Sequence, residues 1–212
     1  MILKIDLEKA YDLVSWDFLE QTLVEFNFEA NFIELIMSCV TSVQTAILWN
    51  GEPLQEFKPI RGLRQGDPLS PYLFVLCMER LSSMIIATSE GNHWKGIKTS
   101  KHGPCLTHLF FDDDLVLFAK AGLAHCYIIM RIMSEFCDLS GLKINALKSK
   151  IFVSPNVDKH KAKELSDKCG IPLTSDLGKY LRVPLIHGRV SWSHYNGIQN
   201  KMQMNLLGGK LV

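Results

Sequence analysis

Surplus positive charge is the first thing this sequence lacks: 23 Lys and Arg stand against 22 Asp and Glu, a formal net charge of +1. No global bias toward a polyanion follows, so any nucleic-acid site must be local. Cysteines at metal-binding spacing are also missing. Cys39, Cys77, Cys105, Cys126, Cys137 and Cys169 include no C-x-x-C pair. That argues against zinc and against a disulfide framework, and it suits a reducing compartment. The N-terminus lacks a secretory pattern: Met1-Ile2-Leu3-Lys4 has no n-region and reaches Asp6 too soon, so secretion is not expected. No apolar run reads as long enough to cross a membrane. Internal repeats and low-complexity tracts are absent, and nothing predicts an oligomer.

What is present is a chain of 212 residues with 47% hydrophobic content, enough for one sizeable core or a core plus a small appendage. Its most unusual stretch runs from His108 to Phe118. The apolar arms Leu109-Phe110-Phe111 and Leu115-Val116-Leu117-Phe118 flank Asp112-Asp113-Asp114. Short aromatic and branched arms predict two buried strands of one hairpin, with the carboxylates in its turn. Three acids in one turn repel each other, and a core hairpin gains nothing from them. A solvated acidic turn is one reading. Hard divalent cations are the other, because Mg²⁺ takes oxygen ligands and usually only one or two protein carboxylates.

Taken in order, Met1 to Ile5 reads as a strand delivering Asp6. Asp12 or Ser15 caps the next helix, with Trp16, Leu19, Leu23 and Phe26 on its inner face. A second helix runs through Phe32, Leu35, Ile36 and Cys39. Asn50-Gly51 between two apolar runs predicts a two-residue hairpin within 44–57. Arg61 to Gln65 is a basic loop, and Pro68 or Pro71 opens a long helix from Tyr72 to Ile86. A polar linker (88–104) precedes the acidic hairpin. Leu123 to Leu139 is a helix stopped near Gly141, Ile151 to Val153 a strand, Asp158 to Cys169 an amphipathic helix, and Tyr180 to Ile186 a strand. The tail from Ser191 is weakly helical and stops at Gly208-Gly209. Strands and helices interleaved around one antiparallel hairpin predict an α+β fold with helices on one face. Asp6 and Asp113-Asp114 then end neighbouring strands. Carboxylates so placed suit two cations roughly 3.5–4 Å apart, the geometry of in-line phosphoryl transfer.

At these residues a resemblance is plain. Asp6 with Tyr11, then Arg61-Gly62-Leu63-Arg64-Gln65-Gly66-Asp67-Pro68-Leu69-Ser70-Pro71, then Phe111-Asp112-Asp113-Asp114, resemble the ordered motifs of reverse transcriptases. The wording is most similar to plant LINE-type (non-LTR) retrotransposons. Gly141-Leu142-Lys143-Ile144-Asn145 with Lys148-Ser149-Lys150 looks like the next motif, and Tyr180 to Leu185 followed by Gly188-Arg189 like the one after. The resemblance implies a reverse-transcriptase palm over 1–188 and the start of a thumb over 189–212. It implies an RNA-directed DNA polymerase that adds a dNTP to a DNA primer on an RNA template, with two Mg²⁺ (or Mn²⁺), in the nucleus or cytoplasm.

Residue by residue, it makes Asp6 and Asp113 the principal metal ligands, Asp114 a secondary carboxylate, and Leu7 a donor through its backbone carbonyl. Tyr11 lies under the sugar and excludes a 2′-hydroxyl, or is a core aromatic capping the sheet. Gln65 and Gly66 wall the nascent base pair. Arg64, with Arg61, positions phosphate or is a solvated loop residue. Lys148 protonates the leaving pyrophosphate, with Lys143 and Lys150 as rivals. Asp12 and Asp67 read as helix-start residues, Asn145 as a turn residue, and His108, His125 and His187 as structural.

Three departures stand out. Asp112 replaces a small residue, usually Ala, and is expected to repel phosphate or compete for metal. Arg182 replaces a Gly, at roughly 1–2 kcal/mol if its φ is positive. Met1 lies almost on Asp6, so fingers, most of the thumb, an endonuclease and an RNase H are expected to be absent. The expectation is an incomplete and inactive palm from a larger polyprotein; the alternative is a domesticated, non-catalytic nucleic-acid-binding remnant.

Overall fold

The structure, a computed structural model, describes residues 1–98, 100–185 and 195–208. Its contacts divide the chain into two compact units, Met1–Leu173 and Thr174–Val212.

The first unit runs β1 (Ile2–Ile5), α1 (Ala10–Leu13), α2 (Trp16–Glu25), α3 (Ala30–Thr41), β2 (Leu48–Trp49), β3 (Glu52–Pro53) and α4 (Ser70–Glu90). It continues through β4 (Ile97–Lys98), β5 (Cys105–Leu106), β6 (His108–Phe111), β7 (Asp114–Phe118), α5 (Leu123–Ser140), β8 (Lys150–Phe152) and α6 (Lys159–Cys169). Its central sheet has the order β6-β7-β1-β8, every neighbouring pair antiparallel. Leu3 faces Leu117 and Ile5 faces Leu115 across β1 and β7, so all four share one side. That side is buried together with Phe18, Leu19 and Leu23 of α2, Phe74, Leu81 and Ile85 of α4, and Ile129 and Phe136 of α5. Phe18 meets Phe136 edge to face with ring centroids 5.7 Å apart. The α+β palm-like architecture expected from the sequence is what forms.

The helix boundaries follow local chemistry. Ser15 caps α2 by accepting from the Phe18 amide, Asp158 caps α6 by accepting from His160 and Lys161, and Pro71 sits in the first turn of α4. Gly141 ends α5 at φ 76°, and a Cβ there would meet the Leu13 carbonyl at 2.8 Å. The hairpin at Asn50-Gly51 forms as the turn chemistry predicts, Trp49 paired with Glu52 and both turn residues at positive φ.

The buried face of α3 is Ile33 and Ile36, while Phe32, Leu35 and Cys39 are exposed. Three expectations need correction. The stretch read as a polar linker holds β4 and Trp94, whose ring is only 2% exposed and whose Nε1 donates to the Phe118 carbonyl at 2.9 Å. Helix α4, at 21 residues and a mean hydropathy of 1.3, is long and apolar enough to span a membrane by composition, which the sequence reading overlooked. Its inner face nevertheless packs into the core, and mid-helix Arg80 pairs with Glu25 at 2.6 Å and lies 4.9 Å from the Phe18 ring, which marks it as a core helix. Finally, the strand expected through Tyr180–Ile186 is interrupted.

That interruption belongs to the second unit. β9 (Lys179–Tyr180) and β10 (Val183–Pro184) form a small antiparallel hairpin, followed by α7 (Asn196–Gly208). Leu181 and Arg182 turn it at φ 50° and 67°, so Arg182 does occupy the left-handed region that a glycine prefers. Ile186 lies outside the described residues.

Candidate active site

The acidic stretch forms the hairpin its sequence predicts. Phe111 pairs with Asp114, leaving Asp112 and Asp113 as the two turn residues, Asp112 at φ 53°. A short polar side chain tolerates that conformation better than a branched one. One position beyond the last β1–β7 pair, Ile5 with Leu115, stand Asp6 and Asp114. The register therefore sets Asp114 beside Asp6, with Asp113 in the turn just above. Lys4, two residues before Asp6, brings its Nζ to 3.9 Å from Asp114 Oδ1.

Asp6 is held from its backbone, so its carboxylate need not serve the fold. Its amide donates to Ser149 Oγ at 3.0 Å and its carbonyl accepts from the Asn145 amide at 2.8 Å. Ser149 Oγ in turn donates to the Asn145 carbonyl at 2.8 Å. Leu7 bridges Ile144 in antiparallel sense, and the flanking bonds run from Asn145 to Asp6 and from Glu8 to Lys143. In that pattern Leu7 keeps its own amide and carbonyl outside the bridge. Asn145 Oδ1 accepts from the Lys148 amide at 3.2 Å, which presents Lys148 on an exposed turn. Ser149 is the residue that sequence reading missed. Its only signal was a lone hydroxyl between two lysines, and its part-buried bond to Asp6 spans 143 residues of chain.

The four acids share one field. Burial first, then the charges of Asp112, Asp114 and Asp6, push the Asp113 carboxyl above the usual range. Among the described residues no three acidic, histidine or cysteine side chains close on one point. A Mg²⁺ that takes one or two carboxylates and finishes its shell with substrate phosphates needs no closed cage. Asp6 and Asp114, set side by side by the strand register, offer the oxygen donors such an ion takes, with Asp113 in the turn above.

Tyr11 lies over this turn. Its ring stacks on Phe74 at 4.7 Å and 20°, and its hydroxyl donates to Asp112 Oδ1 at 2.6 Å. Burial and the Asp112 carboxylate raise the phenol well above its ordinary pKa, so it stays protonated. Asp112 is thus engaged with Tyr11, a partner 101 residues away. Beside it the basic loop is laced to the segment after β1. Leu63 donates to the Tyr11 carbonyl at 2.7 Å, Gly62 donates to Val14 at 2.8 Å, and Trp16 Nε1 donates to the Gly62 carbonyl at 2.8 Å. At Gly62, φ is 93° and a Cβ would meet the Asp12 carbonyl at 2.7 Å, so only glycine fits. Gly66 also has positive φ, 87°. Gln65 Nε2 donates weakly to Asp12 at 3.4 Å, and Arg64 is paired with Asp67, whose carboxyl it holds below the usual range. A cavity of about 1020 Å³ opens along this loop, lined by Trp16, Phe57, Arg61, Arg64, Gln65 and Leu73 among others.

The family model described as reverse transcriptase (RNA-dependent DNA polymerase) matches residues 1–208. A Pol polyprotein from a type-2 retrotransposable element of Drosophila melanogaster is 33% identical over 148 residues, covering 69% of this chain and 13% of that polyprotein. An uncharacterized mitochondrial protein of Arabidopsis thaliana is 51% identical over 65 residues, 31% of this chain and 53% of that protein. Among solved structures, a Candida albicans telomerase shares the fold at a TM-score of 0.54 and 18% identity, over 74% of this chain and 27% of that one. The chain thus spans a small part of the polyprotein it matches. With its acidic hairpin beside Asp6, and a family match over nearly its whole length, the chain belongs to the reverse transcriptase (RNA-dependent DNA polymerase) family.

Proposed function

We propose that this chain is the palm of an RNA-directed DNA polymerase from a plant LINE-type retrotransposon, working on an RNA template, a DNA primer and dNTPs. The observation that supports it most is the pairing of β1 with β7, which runs out at Asp6 and Asp114 beside the Asp113 turn. Asp6, Asp113, Asp114 and the Leu7 carbonyl would hold two divalent ions, Mg²⁺ or Mn²⁺. Such ions, when bound, activate the primer hydroxyl and neutralise charge on the leaving group. The chain's own residues do the rest. Tyr11, pinned on Phe74, sits under the incoming sugar and leaves no room for a 2′-hydroxyl. Gln65 and Gly66 wall the nascent base pair, and Arg64 orients phosphate. Lys148 hands a proton to the departing pyrophosphate, with Lys143 and Lys150 as alternatives. Residues 1–188 serve as palm and 189–212 begin the thumb, in a nuclear or cytoplasmic protein.

Exchanging these residues for the matching segment of the fruit-fly polyprotein, and assaying primer extension on RNA, tests the reading. Extension that disappears with Asp113→Asn supports it. A folded chimera that stays silent even with Asp112→Ala and Arg182→Gly overturns it. Expressed alone, the 212-residue polypeptide should extend a primer poorly, because Arg64 is already paired with Asp67 and Lys148 stands on an open turn. Phosphoryl transfer depends on positioned cations as well as metals.

A further inference from the structure

From Gly91 to Phe111 the chain carries no acidic residue, yet it holds Lys95, Lys98 and Lys101 with His93 and His102. The fold brings Lys120 to this segment. Lys98 lies on β4, Lys101 and His102 are on the connection to β5, and the Lys120 amide donates to the Lys95 carbonyl at 2.9 Å. His125 feels the charges of both Lys120 and Lys95. All four lysines are exposed, and none forms a salt bridge among the described residues. Trp94, buried and bonded to Phe118, anchors the segment on the far end of β7 from the acidic turn. At about 3.3 Å per strand residue, Lys120 stands roughly 20 Å from Asp114.

We propose that Lys95, Lys98, Lys101 and Lys120 form a docking surface for the phosphate backbone of a nucleic acid, separate from the catalytic turn. Three such lysines in an acid-free segment, joined by Lys120 through the Lys95 backbone, match a polyanion. Between Ile86 and Leu109, where three of the four lysines lie, no large apolar side chain is exposed among the described residues; Leu123 and Tyr127 of α5 are exposed beyond Lys120. A membrane surface would call for apolar side chains to insert, and a protein partner for an apolar or aromatic anchor. Backbone phosphate asks for neither, and lysine meets it as a point charge. The proposal extends the polymerase reading by a second contact to the same class of substrate, but it is carried by charge placement alone.

The test is equilibrium binding of the 212-residue chain, without catalysis, to a fluorescent RNA hairpin and a DNA duplex over a salt series. The variant Lys95→Ala/Lys98→Ala/Lys101→Ala/Lys120→Ala should bind both more weakly. Its slope of log affinity against log salt should be shallower by roughly 0.7–0.9 per lysine in contact. Selective loss on one probe identifies RNA or DNA as the source of the phosphate. Unchanged affinity and slope in the variant, or a wild-type chain that ignores both probes at low salt, overturns the proposal. So does wild-type binding to anionic lipid vesicles, lost in the variant, with no nucleic-acid binding. The two readings fail separately, because Asp113→Asn is read by extension in the chimera and the lysine variant by the salt slope of binding.

Discussion

The two ends of the β6–β7 hairpin are built from opposite materials. At one end Asp112, Asp113 and Asp114 crowd a tight turn beside Asp6, and the shared field raises the Asp113 carboxyl. At the other, Lys95 and Lys120 meet across a backbone hydrogen bond, and His125, partly buried beside them, is held below its ordinary pKa. Between them Leu115, Val116 and Leu117 are fully buried. The strands separate two charge clusters that would largely cancel if they touched. The near-zero net charge of the chain therefore hides two local fields, one suited to cations and the other to phosphate.

The largest effect should come from the acidic end. Asp113→Asn in the chimera is expected to cost at least about 10²–10³ in single-turnover extension, the scale seen when one charge-stabilising group is removed. Retention of more than a tenth of the rate would show that Asp113 does not carry the chemistry.

The basic end should break differently, through packing. Trp94→Ala removes a buried indole and its bond to Phe118, and should lower the free energy of unfolding by about 3–5 kcal/mol. Urea denaturation measures this. Hydrogen exchange should show lost protection around Lys95 and Lys120 first, and uniform loss over the whole sheet would mean that the basic end is not a separate unit.

Asp112→Ala sharpens the comparison at the acidic turn. It removes the acceptor of the Tyr11 hydroxyl and leaves a residue poorly suited to φ 53°. A stability loss of about 1–2 kcal/mol follows. The same change removes one negative charge and should tighten primer–template binding in Mg²⁺. Equal or weaker binding would mean that the tie to Tyr11 outweighs the charge. Tyr11→Phe, alone and combined with Asp112→Ala, isolates the coupling.

His108 begins β6, with Ser82 and Thr107 at 3.0 Å from its two ring nitrogens. Burial holds its pKa below the ordinary value of 6.5. The unfolded chain therefore takes up the proton first, and the fold should lose stability as pH falls from about 6.5 through the lower folded-state value. His108→Gln should flatten that part of the profile, and an unaltered profile would assign it to another group. The smallest effect is reserved for the second unit, where Arg182→Gly should stabilise the β9–β10 hairpin by about 1 kcal/mol by relieving positive φ. No rise in its melting midpoint would show the turn to be unstrained.

Local chemistry was enough to read much of this molecule. Asn50-Gly51 dictated its own turn, Ser15 and Asp158 their caps, and short apolar arms the acidic hairpin, because each involves neighbours a few residues apart. The ordered motifs also sufficed to recognise the family. The covered face of helix α3 was not legible, because a helix with apolar residues on several faces does not say which one packs. Trp94 was missed because a single aromatic in a polar stretch has no period.

Sequence alone determined where carboxylates and lysines stand along the chain and which turns reverse it. Only the tertiary structure decided that Asp114 lies beside Asp6, that Ser149 holds the Asp6 backbone, that Asp112 accepts from Tyr11, and that Lys120 joins Lys95. Those outcomes depend on strand register and on contacts between residues 25 to 143 positions apart. Long-range register is set by burying one face of the whole sheet at once, and no local window of sequence contains that condition.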